Sequence, residues 1–101
     1  MNINHEVALK VMGWHLSDDG MWVDENNEAH DPRIDFQECI QSAWLVVERM
    51  RELGYGMIID MFDDWVAVRF YQGGVGAPSG DSQQLSSASL AICQAALKAL
   101  A

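Results

Sequence analysis

Trp65, Arg69 and Tyr71 have the same parity within one apolar run, so an extended strand puts them on one face. A Gly/Ser-rich stretch follows over residues 72–84, with Gly73, Gly74, Gly76 and Gly80, and Ser86 and Ser87 then open a helical pattern. Together these residues offer one cation, two aromatic rings, a backbone free to turn N–H groups inward, and the N–H groups of a helix start. That is the chemistry for holding a nucleotide by stacking and charge. Gly-Lys-Ser/Thr is absent, so the loop is not a P-loop. The plain alternative is a flexible connector, with Trp65 and Tyr71 packed under a helix or at a subunit interface.

The other reactive residues do not converge. His5, His15 and His30 lack metal-ligand spacing. His15 and His30 flank an acidic hairpin, where Asp24 or Glu28 would complete at most a weak site; surface histidines are the better reading. Asp18-Asp19 and Asp63-Asp64 are paired carboxylates within turn sequences, and no calcium loop surrounds them. No Ser-His-Asp or Cys-His set has supporting context. Cys39 and Cys93 fall in helical apolar patterns and read as reduced core residues. The expectation is a protein with no enzymatic activity and no cofactor.

Three helices and a few short strands must position these groups. Residues 4–12 form a short helix, capped by Asn4 and ended by Gly13. Residues 14–30 read as a hairpin around Asp19-Gly20, with a second polar turn at 24–28. The strongest helix spans 36–53, with Asp35 and Glu38 as a capping box. Phe36, Cys39, Ile40, Ala43, Trp44, Val47 and Met50 form its core face, and Gly54 stops it. Residues 57–62 and 65–71 read as an antiparallel pair, with Val66, Val68 and Phe70 turned to the core. The last helix covers 87–100, narrow with alanine and capped by Ser86 or Ser87. Core positions are also expected for Trp14.

With 101 residues the chain makes one domain, residues 1–101. Fifteen acidic residues against six basic ones give a net charge of -9, which argues against nucleic acid or an anionic membrane as partner. No apolar run matches a membrane span, and the first residues lack the basic region of a signal peptide. The expected compartment is the cytoplasm. Four tryptophans leave aromatic surface to spare, so a homo-oligomer, by default a closed dimer, is expected.

Val11-Met12-Gly13-Trp14, Ala43-Trp44-Leu45-Val46-Val47-Glu48 and the closing Leu90-Ala91-Ile92-Cys93-Gln94-Ala95-Ala96-Leu97-Lys98-Ala99-Leu100 occur in this order. The chain thereby resembles the phage ABA sandwich domain, a family of small proteins of phages and prophages. The resemblance covers nearly the whole chain, and its closing stretch is the most specific. It implies a mixed α/β (α+β) fold, a three-layer α-β-α sandwich with a small antiparallel sheet, and it carries over no catalytic residues. Size and phage origin make it similar in context to phage sponges that capture nucleotide-derived immune signals of the host cell, such as cyclic ADP-ribose isomers or cyclic dinucleotides. In that reading Trp65, Arg69, Tyr71, Gly73, Gly74, Gly76, Ser86 and Ser87 form the pocket, in the host cytoplasm, and the ligand is small and nucleotide-like. The alternative is an acidic adaptor or inhibitor that docks Asp18, Asp19, Asp24, Glu25, Glu28 and Asp31 on a basic protein.

Overall fold

The alternation of apolar and polar residues at 66–71 places the centre of the structure. In the computed structural model, which describes residues 3–72, 79–82 and 84–100, that run is the middle strand of a three-stranded antiparallel sheet. The described residues build three helices and two small antiparallel sheets, a mixed α+β fold. α1 is Ile3–Glu6, prolonged by a wider helical turn over Val7–Val11. The first sheet is a meander of three two-residue strands: β1 (His15–Leu16), β2 (Trp22–Val23) and β3 (Ala29–His30). α2 (Ile40–Glu52) leads through Leu53-Gly54 into β4 (Tyr55–Met61). β5 (Val66–Gln72), β6 (Ser79–Asp81) and α3 (Ala88–Ala99) complete the fold.

The second sheet has the order β4-β5-β6. Its register pairs Ile58 with Arg69 and Asp60 with Ala67, and beyond them Arg69 with Asp81. Val66, Val68 and Phe70 are buried on the face that meets α3. α3 is helical all round its small-residue surface: Ala91, Ala95, Ala96 and Ala99 are buried with Ile92 and Cys93. The alanines let β6 approach closely. A Cβ at Gly80 would run into the Ala95 carbonyl oxygen and the Ala99 amide nitrogen. Gly80 is therefore a packing glycine, whereas the sequence placed it in a loop that turns N–H groups toward a ligand. The Cys93 thiol, inside this core, is pushed up to about 12 by burial.

Several expected boundaries move, each for a local reason. Asn4 lies inside α1 instead of capping it, because its side chain bridges to the neighbouring segment. Its amide donates to Asp35 Oδ1 at 3.1 Å, and its Oδ1 accepts from the Gln37 amide at 3.0 Å. Asp35 caps only a single turn, accepting from the Glu38 amide at 3.1 Å, and α2 starts five residues after it, with Cys39 as N-cap. The core side of α2 is Ala43, Val46 and Met50, while Ile40 and Trp44 are exposed, Trp44 by 50%. The apolar stripe of α2 is wider than the groove beside α3, so only part of it is covered. Trp14 is buried as expected, and Trp22 joins it. The stretch 72–84 is not one long loop, since β6 pairs with β5. The pairing continues past β6: the Ser82 amide donates to the Val68 carbonyl, and Val66 bridges Leu85. Among the described residues no helix is long and apolar enough to cross a membrane.

Candidate functional site

α2 and α3 cover one face of the β4-β5-β6 sheet, and the opposite face carries Ile58, Asp60, Ala67, Arg69, Tyr71 and Asp81. Alternation forces this set outward once Val66, Val68 and Phe70 turn in. Ala67 is the smallest of them and sits between larger neighbours. A hollow of about 330 Å³ opens over it, bordered by Ile58, Asp60, Arg69, Asp81, Ser82 and Gln84. That size lies at the lower end for small-molecule sites.

Its electrostatics centre on Arg69. The guanidinium donates to both carboxylate oxygens of Asp81, Nε to Oδ1 at 2.6 Å and Nη2 to Oδ2 at 3.2 Å. This bidentate pair, with Asp60 adding a smaller attraction, holds the Arg69 proton more firmly than usual. Both partners remain more than half exposed. Arg69 thus presents a cation already matched by a carboxylate, in a hollow that contains a second one.

The remaining residues singled out from the sequence are spread out. Tyr71 lies one row along the same face, its ring over Gly56: a Cβ there would stand 2.7 Å from Cζ and 2.8 Å from Oη. Trp65 stacks on Phe62 with ring centroids 4.2 Å apart, at the turn where the Phe62 amide donates to the Trp65 carbonyl. Ser87 is the N-cap of α3, its hydroxyl accepting from the Leu90 amide at 3.2 Å, and Ser86 is exposed. Neither serine borders the hollow. Gly73, Gly74 and Gly76 lie outside the described residues. The sequence reading missed Asp60, Ala67, Asp81, Ser82 and Gln84 as neighbours of Arg69. Asp81 comes opposite Arg69 only through the β5-β6 register, which the Gly/Ser-rich sequence does not announce.

A second polar cluster lies in the first sheet. His30 stacks on Trp14, centroids 4.1 Å apart and nearly parallel, and its Nε2 lies 2.9 Å from Asp24 Oδ2. The His30 contact, helped by the Glu28 and Asn26 amides, holds the Asp24 carboxyl below the usual carboxylate range. His15 is exposed. Among the described residues no group of three or more His, Cys, Asp or Glu is placed to hold a metal ion.

No curated protein and no solved structure matches the chain. The family model for the phage ABA sandwich domain does, over residues 5–97, from α1 through most of α3. On that match, the chain belongs to the phage ABA sandwich domain family and is a phage protein.

Proposed function

We propose that this phage protein binds a small nucleotide-derived ligand without turning it over, and so acts as a sponge for a host immune signal of the cyclic ADP-ribose or cyclic dinucleotide type. The hollow over Ala67, with a guanidinium and two carboxylates at its border, carries the reading. A ligand phosphate would take the place of Asp81 on the Arg69 fork, which matches phosphate as well as carboxylate. Asp60 and the released Asp81 would then accept hydrogen bonds from ribose hydroxyls, a task carboxylates perform in dinucleotide sites. Tyr71 lies on the same face and offers a surface for a base, and the Trp65–Phe62 stack at the turn between β4 and β5 offers another. The acidic balance of the chain argues against nucleic acid or an anionic membrane as partner, and it requires the Arg69 guanidinium to supply the local positive charge for a small anionic ligand. The reading places the protein in the host cytoplasm, as a homo-oligomer.

Thermal melting of the purified protein against cyclic dinucleotides, cyclic ADP-ribose isomers and ordinary nucleotides tests it. Ligand at 100 times its dissociation constant stabilises the native state by about 2.7 kcal/mol. For a domain of this size that raises the melting temperature by about 10 °C or more. One signal should give the rise and be recovered unchanged after denaturation. Arg69→Ala should remove the rise while leaving the unliganded melting curve in place. A flat profile across the panel, or undiminished binding by Arg69→Ala, overturns the reading.

The meander supports a second reading, an acidic adaptor. Its turns and the segment just after it hold Asp18, Asp19, Glu25, Glu28 and Asp31 exposed. A basic partner docked there would lose affinity steeply with salt and on charge reversal of these residues. Capture that ignores both changes counts against it.

A further inference from the structure

Among the described residues β4 is an edge strand, seven residues long and paired with β5 on one side. Of the usual safeguards of an edge it has no lysine and no proline, and a single charge, Asp60. Its second half is exposed on both faces. Ile58 turns to the outer face. Ile59 and Met61 turn to the helix side yet reach beyond its cover, Met61 being 68% exposed, and Phe62 follows at 57%.

α2 extends this apolar surface. The chain reverses at Leu53-Gly54, so α2 and β4 run back along each other. Counting from the reversal, Trp44 and Ile59 each lie about 13 Å along their elements, and Ile40 and Met61 each about 20 Å. Ile40 and Trp44 are four residues apart on the side of α2 next to Val47, which packs on the core. Along the edge and the helix beside it the six side chains together expose roughly 700 Å² by ordinary residue areas, close to the ~800 Å² each partner contributes to a stable dimer.

We propose that β4 pairs antiparallel with β4 of a second copy, about a twofold axis through Ile58, to form one continuous six-stranded sheet. This register is complementary to itself. Ile58 meets its counterpart, Met57 meets the partner's Ile59, and Tyr55 meets the partner's Met61. Asp60 falls opposite the partner's Gly56, so the two like charges stay apart. Gly56 leaves room there, and the Tyr71 hydroxyl already lies over it. That hydroxyl can donate to the partner's Asp60 across the joint. The pairing is isologous and closes on itself, which limits the assembly to two chains. The inference rests on the edge and the apolar surface beside it and is independent of any ligand.

Sedimentation equilibrium of the full chain should return twice the 11.3 kDa chain mass. Ile58→Lys sets two cations face to face on the axis and should weaken the dimer about 100-fold or more. Met61→Lys, farther from the hollow, should weaken it too, with the circular dichroism of both variants unchanged. Ile58→Cys should oxidise to a covalent dimer joined at residue 58, because directly opposed Cβ atoms lie about 4.5–5.5 Å apart. This last variant keeps the test sharp should a lysine disturb folding. The proposal is overturned by a monomer at concentrations near saturation, by an assembly larger than two chains, by a dimer that survives both lysines, or by position-58 cysteines that stay reduced within a dimer.

Discussion

Along β5, neighbouring residues live under different rules. Val66, Val68 and Phe70 are sealed beneath α3, where the shape of every atom is constrained by alanines and by a glycine that admits no side chain. Ala67, Arg69 and Tyr71, one peptide bond away in each case, meet solvent and are ordered by cross-strand register and one ion pair. The helix side is held by volume, and close packing there punishes a change of one methylene. The outer side is held by backbone pairing, which is nearly indifferent to side-chain identity. Recognition chemistry can therefore change on the outer side without cost to the fold, and that is where the hollow lies.

The contrast is most easily broken from the helix side. Phe70→Ala, at a fully buried large side chain, should cost about 3–5 kcal/mol, read as a lowered midpoint in urea denaturation. Gly80→Ala should follow at about 2–3 kcal/mol, although it only adds a methyl group. The added carbon meets backbone atoms of α3, which cannot rotate aside, so strand or helix must shift. A neutral Gly80→Ala would mean that β6 is not seated on α3, and the distinction between the two faces would lose its basis.

Much of this division was legible in the sequence. The alternation Val66, Val68, Phe70 announced the inner face, and Gly54 and Ser87 marked helix ends by their local chemistry. What escaped depended on partners distant in the chain. β6 reads Ser-Gly-Asp, without apolar alternation, and becomes a strand because α3 offers alanines to Gly80. Asp35 looks like the cap of a long helix, yet Asn4, thirty-one positions earlier, ties up the same turn. Trp44 fits the apolar period of α2 but lies past the edge of the covered groove. Arg69 was legible as a cation on an exposed face. Its neutralisation by Asp81 was not, because it needs the β5-β6 register.

A cap sits between the two extremes. The Ser87 hydroxyl accepts from the Leu90 amide at the half-buried start of a largely buried helix. Ser87→Ala should cost about 1 kcal/mol, less than either core change, while Ser87→Asp should retain the cap and the stability. Denaturation midpoints of the two variants check this. Equal loss in both would assign Ser87 a packing role and move it to the core side of the comparison.

The smallest effect is expected at the ion pair, and it is the sharpest test of the outer face. Arg69 and Asp81 are well aligned, but both are more than half exposed, so water and salt compete for each partner. Arg69→Ala, Asp81→Ala and the double variant should all melt within the scatter of wild-type repeats in physiological salt. Any coupling seen at low ionic strength should fade as salt is added. A large coupling that resists salt would show an outer face organised as tightly as the inner one. Exchange of Asp81 for a ligand phosphate would then be costly, and Arg69 would be a structural residue. A vanishing coupling leaves the guanidinium free to change partners at little cost, which is the condition a binding surface on this side of the sheet requires.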